Sequence, residues 1–262
     1  MDDELEAARR AEEANAAARP VTIGDDVVSR HASEATSTAH GFLRHLRSRG
    51  VDGVPEPLGV ADGVETLRFI DGDDGGEGWY HQHTDDGLAS AARLLRRIHD
   101  ASRDWTAPAD AVWGAPAVEG DELVFCHGDP GPWNFIWHER EALALIDWDF
   151  LHPGPRLDDV AYALLWFAPL RSDELALEWH HFPEVPDRRH RVGVFLDAYG
   201  RDALPAFDVV DAVTARMQAT SDLVAALAAE GQEPQRTWVA DGALERSAGE
   251  IAWVRAHRHL VA

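Results

Sequence analysis

The stretch HGDPGPWNFIW, residues 127–137, concentrates polar chemistry in a turn rich in proline and glycine. The polar side chains in it are His127, Asp129 and Asn134. The next apolar run leads into ALALIDWDF, residues 142–150, which contains another acid, Asp147. Polar groups beside buried strands need partners, because leaving them desolvated and unpaired is costly. The pattern therefore indicates a chemical role for this stretch.

The size and composition of the chain predict a globular protein with one large domain or two small lobes. It has 262 residues, of which 45% are hydrophobic, enough for a sizeable core. The sequence contains no run of about 18 apolar residues, so it predicts no membrane span. The charged, alanine-rich residues 1–19 contain no apolar signal core, and Cys126 is the only cysteine. We therefore expect a cytoplasmic protein without an intrachain disulfide.

The formal net charge of -23 limits the possible partners. All 24 basic residues are arginine. Such a charge repels nucleic acid and anionic membranes, so we expect neither as a partner. It suits a cationic small substrate, although genome composition or a salty habitat explains the same acidity. The oligomeric state stays open.

The order of the predicted elements favours an α+β fold with a small β-sheet lobe and a larger, mostly helical lobe. Residues 1–19 read as an acidic helix or tail, and residues 20–71 as short strands around one helix. The glycine- and aspartate-rich residues 71–78 predict a flexible connector at the boundary between the lobes. Residues 72–262 then form the helical lobe, which contains the polar stretch.

Phosphoryl transfer from a nucleotide needs the groups that this stretch supplies. An acid must orient the attacking hydroxyl, and hard oxygen ligands must hold Mg²⁺ on the phosphates. The kinase catalytic loop has His, any residue, Asp, four residues and Asn, followed by a separate metal-binding Asp. HGDPGPWN has this spacing, and Asp147 follows the next predicted hairpin. Each residue alone also has a purely structural explanation, since Asp-Pro-Gly favours a simple turn.

The motif HGDPGPWNFIW…LIDWDF…PGPRLDDVAYAL resembles the aminoglycoside phosphotransferase and choline-kinase-like family of small-molecule kinases. The resemblance extends more weakly over about residues 20–200, through LRHLRSRGVDGVPEPLG, ETLRFIDG, LLRRIHDAS and RVGVFLDAYG. It implies a bilobal protein-kinase-like fold that uses ATP and Mg²⁺ to phosphorylate a hydroxyl of a small molecule.

The resemblance also implies roles for individual residues. Asp129 would be the catalytic base, and Asn134 and Asp147 would bind magnesium. Main-chain groups of Arg68 and Ile70 would contact adenine. A further acid, Asp159, would brace the backbone of the catalytic loop, while His127 would hold the loop by hydrogen bonds.

Two departures from the family pattern leave alternatives open. The family places a basic residue on a small-lobe strand to hold the phosphates, and Arg30 is the candidate here, because guanidinium grips phosphate oxygens bidentately. Its acidic partner is expected inside the next helix, which offers only Glu34 and His40. The region that covers the phosphates also looks shortened. A nucleotide-binding pseudokinase and a non-catalytic partner-binding protein are therefore the alternatives to a kinase for an amine-bearing acceptor.

Overall fold

The computed structural model describes Arg10 and residues 20–24, 26–120 and 122–261. The prediction of an acidic helix or tail at residues 1–19 therefore lies, apart from Arg10, outside the described residues. Within the described part, no helix is both long and apolar enough to cross a membrane.

A four-stranded antiparallel sheet begins the described chain, in the order β1-β2-β4-β3. Its strands are β1 Val21–Ile23, β2 Val27–His31, β3 Pro57–Ala61 and β4 Val64–Arg68. The hairpin between β1 and β2 agrees with the short strands predicted in residues 20–71. The register places Arg30 of β2 opposite Glu65 of β4, so an acid and a base of the small lobe become neighbours.

Helix α1, Thr36–Ser48, joins this sheet to the rest of the molecule. Phe42, Leu43 and Leu46 lie on its buried face, as their helical spacing requires. The Phe42 ring packs against Trp148, with 5.3 Å between ring centroids. The small lobe is thereby packed against the segment that follows Asp147.

Residues 71–78, predicted as a flexible connector, are more structured than expected. Asp73 forms a β-bridge with Trp137, with backbone N–H to O distances of 2.9 and 2.8 Å. Helix α2, Gly75–His81, begins directly after this bridge. The run of glycine and aspartate misled the prediction because a helix that packs against a partner tolerates residues of low intrinsic propensity.

The remaining helices confirm that the larger part of the protein is mostly helical. They are α3 Asp85–Ser102, α4 Arg156–Phe167, α5 Asp173–Glu178, α6 Arg188–Tyr199, α7 Val209–Ala229, α8 Gln235–Ala240 and α9 Ala243–Ala256. Thr84 caps α3 by accepting a hydrogen bond from the Gly87 N–H, and Leu88, Leu95 and Ile98 are fully buried on its inner face.

Two short antiparallel pairs carry the polar stretch. Strand β5, Val124–Cys126, pairs with β8, His152–Gly154, and β6, Phe135–His138, pairs with β7, Glu141–Leu145. The connections between these strands hold the candidate catalytic residues, because the loop after β5 and the turn after β7 leave the core side by side.

Cys126 ends β5 and is completely buried. Its thiol lies 3.4 Å from the Pro155 carbonyl oxygen. Burial raises the pKa of this thiol well above its ordinary value, and the charges of Asp159 and Asp158 raise it further. The thiol therefore stays protonated and serves as a packed core group.

Candidate active site

The loop after β5 is fixed by a buried carboxylate from helix α4. The Oδ2 atom of Asp159 accepts the His127 N–H at 2.7 Å, and Oδ1 accepts the Gly128 N–H at 2.8 Å. His99 of α3 contacts the same carboxylate at 3.0 Å. Burial opposes ionisation of Asp159, but the His99 hydrogen bond and the loop amides outweigh it and hold its pKa well below its ordinary value. This is the bracing contact that the family resemblance implied for Asp159.

The His127 ring connects the loop to the turn that carries Asp147. Its Nε2 lies 2.8 Å from the Ile146 carbonyl oxygen, and its Nδ1 lies 3.2 Å from the Asp129 amide nitrogen. A carbonyl accepts and an amide N–H donates, so these partners assign the neutral tautomer with the proton on Nε2. His127 therefore holds the loop to the Asp147 turn by hydrogen bonds.

The two carboxylate oxygens of Asp129 differ in their hydrogen bonding. The side-chain amide of Asn134 donates to Asp129 Oδ2 at 3.0 Å and to the Asp129 carbonyl at 2.8 Å. The Oδ1 atom is buried and accepts no hydrogen bond among the described residues. Burial raises the pKa of Asp129 and the charge of Asp147 raises it further, whereas the neighbouring Tyr162 hydroxyl favours the ionised form. A shielded, unsatisfied carboxylate oxygen is suited to accept a hydrogen bond from a substrate hydroxyl.

Asn134 presents its oxygen to the same space. Since the side-chain nitrogen of Asn134 donates to Asp129, its Oδ1 is the atom that is left for a cation. Asn134 lies in a 3₁₀ turn, Pro132–Asn134, and its carbonyl accepts the Ile146 N–H at 2.8 Å. Ile146 of the turn after β7 is therefore hydrogen-bonded to both ends of the loop after β5, through its carbonyl to His127 and through its N–H to Asn134.

Asp147 follows β7, two residues after Leu145, and has a left-handed backbone conformation with φ of 62°. This conformation is uncommon outside glycine, and aspartate and asparagine adopt it more readily than most other residues. The Trp148 indole donates to the Leu145 carbonyl at 2.9 Å, which fixes the turn. The turn directs the Asp147 carboxylate toward Arg30 of the small lobe, which it contacts at 2.7 Å. The charge of Asp147 also raises the pKa of Asp129.

Arg30 lies at the centre of a partly buried charge network. Its Nη1 and Nη2 contact Asp147 Oδ1 and Asp149 Oδ1, each at 2.7 Å, and its Nε contacts Glu65 Oε2 at 2.5 Å. The second Glu65 oxygen lies 2.8 Å from His40 Nε2. Burial disfavours the charged guanidinium, but the three carboxylates overcome this and raise the Arg30 pKa further above its ordinary value.

The expectation of an acidic partner for Arg30 inside the next helix is wrong. The acid is Glu65 on the neighbouring strand, and helix α1 contributes His40 to the same carboxylate. The partner comes from a strand and not from the helix because β2 and β4 are adjacent in the sheet. Their register places Arg30 and Glu65 directly opposite each other. A buried glutamate in VETLR was the sequence signal, but its partner depends on a strand register that the sequence does not state.

The predicted adenine-contacting segment lies at the end of β4. The Arg68 N–H donates to the Glu56 carbonyl at 2.9 Å, and the Arg68 side chain is exposed beside Glu56 and Asp26. Because the Arg68 N–H already has a partner, the main-chain groups that would contact adenine are the Arg68 carbonyl and those of Ile70. This contact stays a prediction.

Sequence reasoning did not identify which aromatic residues adjoin Asp129. Tyr162 and Trp166 occupy successive turns of α4, and Trp133 lies in the catalytic loop. The Trp133 and Trp166 rings meet edge to face at 4.7 Å, and Trp179 lies 6.1 Å from Trp166. All four rings are only partly buried. They form an aromatic wall, defined as Trp133, Tyr162, Trp166 and Trp179, next to the carboxylate.

Comparison with known proteins agrees with this geometry. Residues 109–192 match the phosphotransferase enzyme family. The matched range contains the candidate catalytic loop after β5, the Asp147 turn and Asp159. The resemblance to a family of small-molecule kinases is therefore confirmed.

One curated relative and two solved structures extend the comparison over most of the chain. The trifolitoxin immunity protein of Rhizobium leguminosarum bv. trifolii is 29% identical over 254 residues, which cover 91% of this chain and 92% of the relative. An amicoumacin kinase solved with AMP-PNP and Ca²⁺ has a TM-score of 0.56 at 13% identity and covers 96% of both chains. A spectinomycin phosphotransferase solved with ADP and spectinomycin has a TM-score of 0.58 at 10% identity and covers 91% of this chain and 88% of that one. The bilobal kinase-like fold is confirmed by these two likenesses.

Proposed function

We propose that this protein is an ATP-dependent kinase that transfers the γ-phosphoryl group to a hydroxyl of a small molecule. The observation that supports it best is the pairing of Asp129 with Asn134 at the Asp147 turn, with the buried Asp129 Oδ1 left without a partner. A carboxylate in this state accepts a hydrogen bond from an alcohol, which orients the alcohol oxygen for in-line attack.

The proton of the acceptor passes to Asp129 as the new bond forms. The acceptor oxygen bonds to the γ-phosphorus while the bond from that phosphorus to the β–γ bridging oxygen breaks, and ADP leaves with the bridging oxygen. The raised pKa of Asp129, caused by its burial and by the charge of Asp147, brings the base closer to the operating pH, where proton transfer is more effective.

Asn134 and Asp147 are the residues that would hold Mg²⁺. Their donor set, an amide oxygen and a carboxylate, is the chemistry that this hard cation prefers. Asp147 and Asp149 each contact the cationic Arg30 guanidinium at 2.7 Å, which supports a negative environment suited to a metal cation. When bound, Mg²⁺ supplies charge neutralisation on the nucleotide phosphates.

Arg30 is proposed to hold the nucleotide phosphates. Its planar guanidinium is permanently charged and matches phosphate oxygens in pairs. Glu65 holds Nε of the same group, so the two terminal nitrogens keep their direction toward the cleft when their acidic partners change. This role fits a chain without lysine.

We propose that the acceptor binds against the aromatic wall beside Asp129. A toxin or antibiotic with a hydroxyl is the first class to test, because the curated relative is named an immunity protein. The helical lobe after residue 170 also carries acids that suit an amine-bearing acceptor, namely Asp173, Glu174 and Glu178. Asp173 pairs with Arg188 at 2.9 Å, so part of this negative charge is already neutralised. The reaction is proposed to take place in the cytoplasm.

A nucleotide-binding protein without catalysis is the second candidate. The three carboxylates around Arg30 favour it, because a phosphate must compete with them for the guanidinium. A kinase and a pseudokinase both bind Mg-ATP, and only the kinase releases ADP when an acceptor is added.

The test combines binding and turnover. Thermal unfolding is measured with ATP and Mg²⁺ and again with ATP and a chelator, and ADP release is then followed across hydroxylated antibiotics, toxins and metabolites. A magnesium-dependent rise in melting temperature together with acceptor-dependent ADP release supports the kinase. A rise without ADP release supports the pseudokinase, and the absence of any rise supports a partner-binding protein.

A further inference from the structure

A single peptide unit, the one between Gly128 and Asp129, is held at both of its ends. The Gly128 carbonyl accepts a hydrogen bond from Arg216 Nη2 at 2.6 Å. The Asp129 N–H donates to His127 Nδ1 at 3.2 Å. The plane of this peptide sets the direction in which the Asp129 side chain leaves the backbone.

Arg216 is itself held in one orientation on helix α7. Its Nη1 donates to the Thr220 hydroxyl at 2.6 Å, and its guanidinium carbon lies 5.0 Å from the centre of the Tyr162 ring. The Tyr162 hydroxyl adjoins the Asp129 carboxylate and favours its ionised form. Burial raises the pKa of Tyr162 well above its ordinary value, so the hydroxyl remains a donor. Arg216 therefore contacts both the backbone and an aromatic neighbour of the candidate base.

The loop has little other freedom at this point. Gly128 has a left-handed φ of 87°, and a Cβ placed there would lie 2.7 Å from the Phe150 Cβ and carbonyl oxygen. Asp159 holds the N–H side of Gly128. Arg216 holds the Gly128 carbonyl on the other side. Loss of the guanidinium would therefore release the peptide plane while the preceding turn stayed fixed.

We propose that Arg216 is a positioning residue that sets the direction of the Asp129 carboxylate, with Tyr162 between the guanidinium and the base. It lies outside the range that matches the phosphotransferase family, on a helix that the polar motifs do not include. The inference rests on the proposed role of Asp129 as the base. A displacement of about 1 Å in such a group can cost a factor of 10² in rate.

The test compares amide hydrogen exchange and ATP turnover in the full chain. In Arg216→Met, the Asp129 amide is expected to exchange at least about 10-fold faster, while the Gly128 amide, held by Asp159, keeps its protection. ADP release from ATP and Mg²⁺ with water as acceptor should fall about 10- to 100-fold in kcat with little change in KM for ATP. Arg216→Lys, which keeps one donor for Gly128, should recover part of both losses.

Arg201→Met serves as the matched control, because Arg201 is exposed and pairs only locally with Asp197 among the contacts described. Thr220→Val provides a milder change that loosens the same guanidinium, and it decides the question if Arg216→Met does not fold. Unchanged exchange at Asp129 in a folded variant would overturn the positioning role. If the wild-type protein releases no ADP with water or with any acceptor of the screen, the proposed kinase function fails, yet the exchange measurement still decides whether Arg216 orients Asp129.

Discussion

At the scale of single residues, the proposed role of each polar side chain in the candidate site depends on the group that it contacts. Arg30 contacts three carboxylates and Asp129 contacts an amide, so the two groups serve different parts of the proposed reaction. Substitutions should therefore separate nucleotide binding from turnover, because Arg30 is proposed to hold the phosphates and Asp129 is proposed to face the acceptor.

Replacement of the base should abolish turnover but not binding. Asp129→Ala is expected to reduce kcat by about 10²- to 10⁴-fold, the usual contribution of a general base. The affinity for Mg-ATP should change little. The measurement is steady-state ADP release beside calorimetric ATP binding, with Asp110→Asn as an exposed control. Wild-type turnover in the Asp129→Ala protein would remove Asp129 from the reaction.

Asp147→Asn tests the proposed metal ligand. Asparagine tolerates the left-handed backbone at this turn, so the fold should be retained. The variant should lose the magnesium-dependent part of ATP affinity, because a neutral amide is a poorer ligand than a carboxylate for a hard cation. Titrations with ATP in Mg²⁺ and in chelator measure this difference. Equal magnesium dependence in both proteins would exclude Asp147 as a ligand.

Arg30→Ala tests the proposed phosphate contact. ATP binding should weaken far more than adenosine binding, because only ATP carries the phosphates. Glu65→Gln should have the same selectivity with a smaller effect, since it removes a charge that orients the guanidinium but leaves the guanidinium present. If ATP and adenosine weaken equally in Arg30→Ala, the arginine supports the lobe and the phosphate contact lies elsewhere.

At the scale of elements, helix α4 supports the catalytic loop through a charge that must stay ionised. Asp159 accepts hydrogen bonds from two loop amides and contacts His99. Asp159→Asn leaves one oxygen for these donors and should reduce the free energy of unfolding by at least about 1–3 kcal/mol, the cost of leaving a buried polar group unsatisfied.

The same residue predicts a pH dependence of stability. The folded-state pKa of Asp159 is depressed, so its contribution is complete above the unfolded-state pKa of about 4 and decreases as the pH falls below it. The stability difference between wild type and Asp159→Asn should be constant from about pH 7 to pH 5 and shrink in more acidic buffer. Urea unfolding at each pH measures it, with Asp110→Asn as the control. A difference that grows in acid would contradict the assigned direction.

The loop and the Asp147 turn could be predicted from the sequence because their residues are close together in the chain. Short spacing fixed the pairing of Asp129 with Asn134 and the position of Asp147. The contacts of Arg30 with Glu65 and of Arg216 with Gly128 could not, since they depend on strand register and on the packing of α7, which no local pattern specifies. The helix at Gly75–His81 was missed because its glycines have low helix propensity and its stability comes from packing.

At the scale of the whole molecule, the charge of -23 should make stability depend on ionic strength. Repulsion among like charges opposes the compact state and is screened by salt. Raising sodium chloride from about 20 to about 500 mM should raise the melting temperature, by about 2–4 °C for each kcal/mol of relieved repulsion. A neutral osmolyte at equal osmolality is the control. A fall in melting temperature would mean that surface ion pairs, such as Arg258 with Asp208 and Asp211, outweigh the repulsion.

The fold class could be predicted at this scale, because alternating strands followed by helices and one kinase-type loop leave few architectures. The aromatic wall could not be assigned from the sequence. Ten tryptophans are spread through the chain, and only the packing of α4 against the catalytic loop selects Trp133 and Trp166 as neighbours of Asp129.

The buried Cys126 has a practical consequence for spectroscopy. Its protonated, enclosed thiol is a poor nucleophile, and the chain has no other cysteine. A cysteine introduced at an exposed position in each lobe, such as Asp62 and Asp202, would therefore react with maleimide dyes while Cys126 stays unlabelled. Distance measurements between the two dyes would follow the closure of the lobes around a nucleotide without any need to alter the native thiol.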